Sequence, residues 1–326
     1  MREGALRRGD LVEVRSAGEI LATLDDQGTL GAMPFMPEMI QYLGRRFRVS
    51  MRADKICDTI GVTLQSRQMT DTVLLDDLRC QGGAHGGCQA DCLIYWNEAW
   101  LKKVDTLTAP AVAQDATEVA ALRARVEPNV RSSGVGEGDD VRWKCQVTEA
   151  NRASVPLSTT DPRPYLNELR SGNVGLLTFL KVMAHAAYMQ PLHHFKLVRW
   201  WPKGPNEKSP PRPQPLNLQP GEWVRVKSRE EIKATLNTQG NNHGLRFDIE
   251  MVPFCGQVMQ VRGRVTHIIE EPTGRMLRFR NDCIKLEGGV CSGERSTGRF
   301  FCPRKIYSYW REAWLERVDR PPDTPN

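Results

Sequence analysis

An internal repeat constrains this chain more than any other feature. Gly9-Asp10-Leu11-Val12-Glu13-Val14-Arg15-Ser16 returns as Gly221-Glu222-Trp223-Val224-Arg225-Val226-Lys227-Ser228, an offset of 212 residues. The offset holds through Glu19-Ile20 and Glu231-Ile232, and on to Phe35, Glu38 and Met39 against Phe247, Glu250 and Met251. Both copies close alike, on Tyr95-Trp96-Asn97-Glu98-Ala99-Trp100-Leu101 and Tyr309-Trp310-Arg311-Glu312-Ala313-Trp314-Leu315. Each copy is about 100 residues, an ordinary domain size. The repeat divides the chain into a first cysteine-rich copy (1–105), a middle segment (106–215), a second cysteine-rich copy (216–320) and a tail (321–326).

Within each copy the pattern is that of short strands and brief helical turns. Leu11–Val14 and Trp223–Val226 read as strands after a glycine-led turn. Ser16 with Glu19, and Ser228 with Glu231, fit capping boxes. Phe47–Met51 and Val258–Val261 alternate, followed by Thr72–Leu75 and Met276–Phe279. The expected class is mainly β with α (α+β), each copy resembling a small SH3-like β-barrel, the two barrels joined by a helical middle segment. That likeness concerns shape and not activity.

The middle segment is expected to hold a linker from Thr106 to Glu137 with helix around Ala116–Arg125, then a helix started by Asp161-Pro162 and stopped at Gly172. A further helix from about Val174 carries Leu176, Leu177, Leu180 and Met183 and runs into the basic, aromatic stretch ending at Trp201. The apolar run Val174–Met189 falls short of the roughly 20 residues needed to span a bilayer. It reads as a helix packed on a barrel, or as a cationic interfacial helix in peripheral contact with a membrane. Pro202 to Pro220 reads as a second linker.

Nine cysteines supply the chemistry. In the first copy Cys57 precedes Cys80, His85, Cys88 and Cys92, the last four in a glycine-rich loop whose turns let side chains wrap one ion. The second copy offers Cys255, Cys283, Cys291 and Cys302, with His267 between. Two registers compete. Cys80 and Cys88 match the spacing of Cys283 and Cys291, whereas aligning Gly82-Gly83 with Gly288-Gly289 puts His85 opposite Cys291. Zinc is the expected ion, about two per chain, with iron or an iron–sulfur cluster as alternatives. Cys145 stands outside both sets and reads as a buried thiol, an added ligand or a nucleophile. His193 and His194 are further candidate bases or ligands, or a solvated helix end.

The opening residues show no apolar leader, and the odd cysteine count suits a reducing compartment, so a cytoplasmic location is expected. The net charge of +6 is uneven: residues 1–105 carry 13 Lys and Arg against 15 Asp and Glu, while 216–320 carry 18 against 13. Such an excess suits weak attraction to phosphates without demanding it. The tryptophan pairs read as core, with base stacking as the alternative. No phosphate-binding loop, zinc-protease helix or serine-nucleophile elbow is present.

The string Cys80 to Leu101, centred on Ala84-His85-Gly86-Gly87-Cys88-Gln89, resembles a group of bacterial proteins of unassigned function. The likeness extends through Cys145-Gln146, Ser171-Gly172-Asn173 and Cys302-Pro303-Arg304 to Trp314-Leu315. It implies a recurring bacterial architecture. The reading reached is a zinc-binding scaffold for a protein or carrier-protein partner in a biosynthetic system. Its alternatives are a metal-dependent enzyme with an open first-copy site and a zinc-dependent nucleic-acid binder.

Overall fold

The computed structural model describes residues 4–61, 66–108, 111–132, 141–158, 161–195, 202–211, 213–296 and 299–320. The protein is α+β, built of small antiparallel sheets with few helices, and the described strands close no barrel. Contacts divide the chain into two units. One comprises Met1–Met183, Ile268–Leu277 and Thr297–Arg304; the other comprises Ala184–His267, Arg278–Ser296 and Lys305–Asn326.

The first unit is built on a five-stranded sheet in the order Leu93–Asn97, Thr72–Arg79, Arg46–Arg52, Leu11–Val14, Leu101–Lys103. In the second unit the order is Ile284–Leu286, Val258–Arg264, Trp223–Val226, Leu315–Arg317. Both capping boxes form, at Ser16 with Glu19 and at Ser228 with Glu231. All four tryptophans of the closing motifs are fully buried, which removes them as base-stacking platforms. Trp100 Nε1 donates to Thr23 Oγ1 at 3.0 Å, and Trp314 Nε1 donates to Thr235 Oγ1 at 2.9 Å. Phe35 meets Trp100 edge-on, as Phe247 meets Trp314.

Three details were not legible in the sequence. Met276–Arg278 does not continue the second sheet; it pairs with His267–Ile269 as a hairpin, and Ile284–Leu286 takes the sheet position. Alternation marks a strand but not its partner, so both segments looked alike. The helix Ala116–Val126 is more than linker: Leu122 and Val126 are buried in the first core, and Glu118 accepts from the backbone of Gly18. In the helix Leu176–His194, Phe179 stacks on Phe301, but Leu176, Leu177 and Leu180 are exposed. No helix among the described residues is long and apolar enough to cross a membrane.

Candidate metal centre

The strands Thr72–Arg79 and Leu93–Asn97 place the cysteine loop. Arg79 pairs with Leu93, and Cys80 N donates to Cys92 O at 2.8 Å, closing the neck. Inside it, the backbone N–H groups of His85 and Gly87 both donate to Gly82 O. Gly82 holds φ of +72°, and a Cβ there would lie 2.1 Å from Cys88 O, so only glycine fits.

This turn brings His85 between Cys80 and Glu38. His85 Nε2 lies 3.4 Å from Cys80 Sγ, and Nδ1 lies 3.0 Å from Glu38 Oε1. The second contact is at hydrogen-bond distance but off the alignment of a good one. Ligand atoms of the three residues all lie within 4.8 Å of one another. Tetrahedral zinc with ordinary Zn–S and Zn–N lengths separates a sulfur and a nitrogen ligand by about 3.6 Å, near the observed Cys80–His85 distance.

The surroundings suit a cation. A cavity of about 30 Å³ is lined by Cys80, His85, Cys88, Cys92, Cys145 and Glu38. Glu38 Oε2 is buried with no partner, a costly state for a carboxylate oxygen. Burial pushes the Glu38 carboxyl up, but His85 and the backbone N–H of Ala84 outweigh it and hold it below the usual range. Cys145 enters through the turn after Trp143, its N–H bonded to Thr148 Oγ1 at 2.9 Å. Burial drives the Cys80 and Cys92 thiols upward and takes Cys145 to about 11, so Cys145 lacks the depressed pKa of a nucleophile. Such a cluster ionises only with a cation, and binding one would release protons.

Cys57 stands apart from this cavity. Its N–H donates to Cys302 Sγ at 3.2 Å, and the two thiols share a hydrogen bond that lowers Cys57 to about 6 while burial raises Cys302. Spacing grouped Cys302 with the second copy, yet it belongs to the first unit. Beside the pair lie Arg304, which donates to Cys57 O and pairs with Glu271, and Tyr95, whose buried hydroxyl has no partner.

Among the described residues, the other second-copy candidates form no group of three ligand atoms. Cys255 ends the turn Ile249–Phe254 and packs on the second core. Cys283 is buried, its carbonyl accepting from Val265 N, with burial raising the thiol to about 12. Cys291 N donates to Ile306 O, and His267 Nδ1 meets Thr266 Oγ1 at 2.9 Å. Among the described residues, only Glu38, Cys80 and His85 bring three ligand atoms together. The side chains of His193 and His194 and the stretch 196–201 lie outside the described residues.

Sequence reasoning missed Glu38. Its signal was present in the repeat, as the partner of Glu250, but a single carboxylate carries no ligand signature. No protein-family model matches the chain, and no curated protein or solved structure matches it either.

Proposed function

We propose that the protein is a zinc-stapled scaffold of two SH3-like copies that binds a protein or carrier-protein partner in a bacterial, cytoplasmic biosynthetic system. The observation that carries the metal is the meeting of Cys80, His85 and Glu38 at a small thiol-lined cavity. Cys80 and His85 would hold the ion together with cysteines that line the same cavity, Cys88, Cys92 and Cys145, and Glu38 would fix the imidazole from behind. Carboxylate–histidine–metal chains of this kind set ring orientation and basicity.

A metal-dependent or thiol enzyme is the second reading, because Cys80, His85 and Glu38 also stand in thiol–imidazole–carboxylate order. The cavity of about 30 Å³ argues against it, since it has room for little beyond an ion or a water. A closed, four-ligand site is structural.

Replacing the native ion with Co²⁺ tests the reading. A tetrahedral spectrum with thiolate charge-transfer bands is expected. An octahedral spectrum, or one showing a bound water, would favour the enzyme. Colour in the anaerobically purified protein would point to iron–sulfur chemistry. A nucleic-acid partner would appear as salt-dependent retention on heparin.

A further inference from the structure

The repeat sets two equivalent arginines in unlike surroundings. In the first unit, Arg52 ends its strand with a side chain 4% exposed. Asp54 grips the guanidinium through two hydrogen bonds, at 2.8 and 2.9 Å, and Glu98 takes another nitrogen. The carboxamide of Asn173 seals the strand edge: Arg52 N donates to Asn173 Oδ1 at 2.8 Å, and Asn173 Nδ2 donates to Arg52 O at 2.9 Å.

In the second unit the same strand ends at Arg264, whose side chain is 36% exposed. Thr266 stands where Asp54 stood, and among the described residues the guanidinium pairs with Glu312 alone. Arg264 faces Ile284 across the ladder, but Ile284 spends both its N–H and its C=O on Trp310. The backbone groups of Arg264 therefore point away from that strand, and among the described residues no backbone group is seen to meet them. Beside the arginine lies a cavity of about 520 Å³, bounded also by Asn242, His243, Asp282 and the prolines 210–215.

The acids in that wall are already engaged. Glu312 accepts from the backbone of Leu216, Asn217 and Leu218, and Asp282 accepts from the backbone of Glu312. Arg264 keeps donors to offer, as does Lys227 in the same wall, whose Nζ gives one hydrogen bond to Ala313 O. The first unit supplies a second carboxylate, Asp54, on the guanidinium and an amide on the strand edge; among the described residues the second unit supplies neither.

We infer that this cavity binds an extended, acidic peptide segment of a partner protein, with a carboxylate on the Arg264 fork and a backbone or carboxamide group on the Arg264 edge. Strand addition supplies the main-chain bonds, and the bidentate ion pair supplies selectivity. The inference rests on the scaffold reading for its biological role, and gives that scaffold's partner a chemistry.

The test uses the full chain and a fluorescent acetyl-Gly-Asn-Asp-Gly-amide peptide, followed by anisotropy, with metal content measured on the same sample. Saturable binding below about 1 mM is expected. Replacing the peptide's Asn-Asp by Ala-Ala should weaken it by roughly tenfold or more. R264Q should do the same. Because that change also strips a partner from Glu312, T266D provides the cleaner arm: it restores the internal carboxylate, fills the fork and should abolish peptide binding while keeping the fold and raising the melting temperature. No binding at that concentration, unchanged binding in T266D, or equal competition by inorganic phosphate would overturn the inference. Failure here with metal still bound would leave the metal centre standing.

Discussion

Glu38 and Glu250 occupy the same place in the two copies, and what each touches differs. Glu250 is buried and fully satisfied: it accepts from Ser292 Oγ, Arg295 N, Ser296 N and Ser296 Oγ, and so pins the loop above it. Glu38 has one backbone donor, Ala84 N, and the close His85, and its second oxygen is orphaned beside a thiol-lined cavity. One copy secures its loop with hydrogen bonds, whereas the other has the donors for a cation. Cysteine count alone hides this, because each copy holds four. The two halves share like-placed core tryptophans but surround this glutamate differently.

The comparison can be broken by removing each device. His85→Ala or Cys80→Ser should abolish high-affinity metal binding, an effect on the order of 10 kcal/mol of linked folding energy, read by a shift in melting temperature on chelation. Cys255→Ser or Cys291→Ser should leave metal content unchanged. Next in size is the loop backbone. Gly82→Ala, with its Cβ driven against Cys88 O, should cost about 3–4 kcal/mol in chemical denaturation. Gly288→Ala, at φ of +69° with nothing within 4 Å, should cost only about 1 kcal/mol.

Between pH 4.5 and about 8 a pH effect should arise at Glu168 in the first unit. Burial raises Glu168 to about 8, against the opposing pull of its bond to Asn173 and of Lys55, from an ordinary value of 4.5. The folded state then holds a proton that the unfolded state has released. This group's contribution to stability is therefore present below pH 4.5 and lost as pH rises to about 8. Glu168→Gln should flatten stability across that window. Smallest, and equal in both copies, is the tryptophan anchor: Trp100→Phe and Trp314→Phe each give up an indole hydrogen bond to threonine and should each cost about 1–2 kcal/mol.

Much of the frame was legible because it is written locally. Capping boxes and the alternation of the opening strands depend on neighbours a few residues away, and the sequence shows each of them twice, as it does the closing Trp-x-Glu-Ala-Trp motif. The loop at Cys80–Cys92 was legible for the same reason, since its glycines and ligands are contiguous. What spacing could not reveal is long range. Cys302 leaves its copy for Cys57, 245 residues away, and Glu38 reaches His85 across 47 residues of chain. The serines around Glu250 were readable, yet they become informative only once that glutamate is known to be buried among them.

The proposed metal centre is a single closed site, in the first copy alone. Elemental analysis of the full chain alongside H85A and a Glu250→Gln variant tests it most directly. Close to one zinc per chain is expected in the parent and in E250Q, and none in H85A. Two ions per chain, or a single ion that survives H85A, would contradict it.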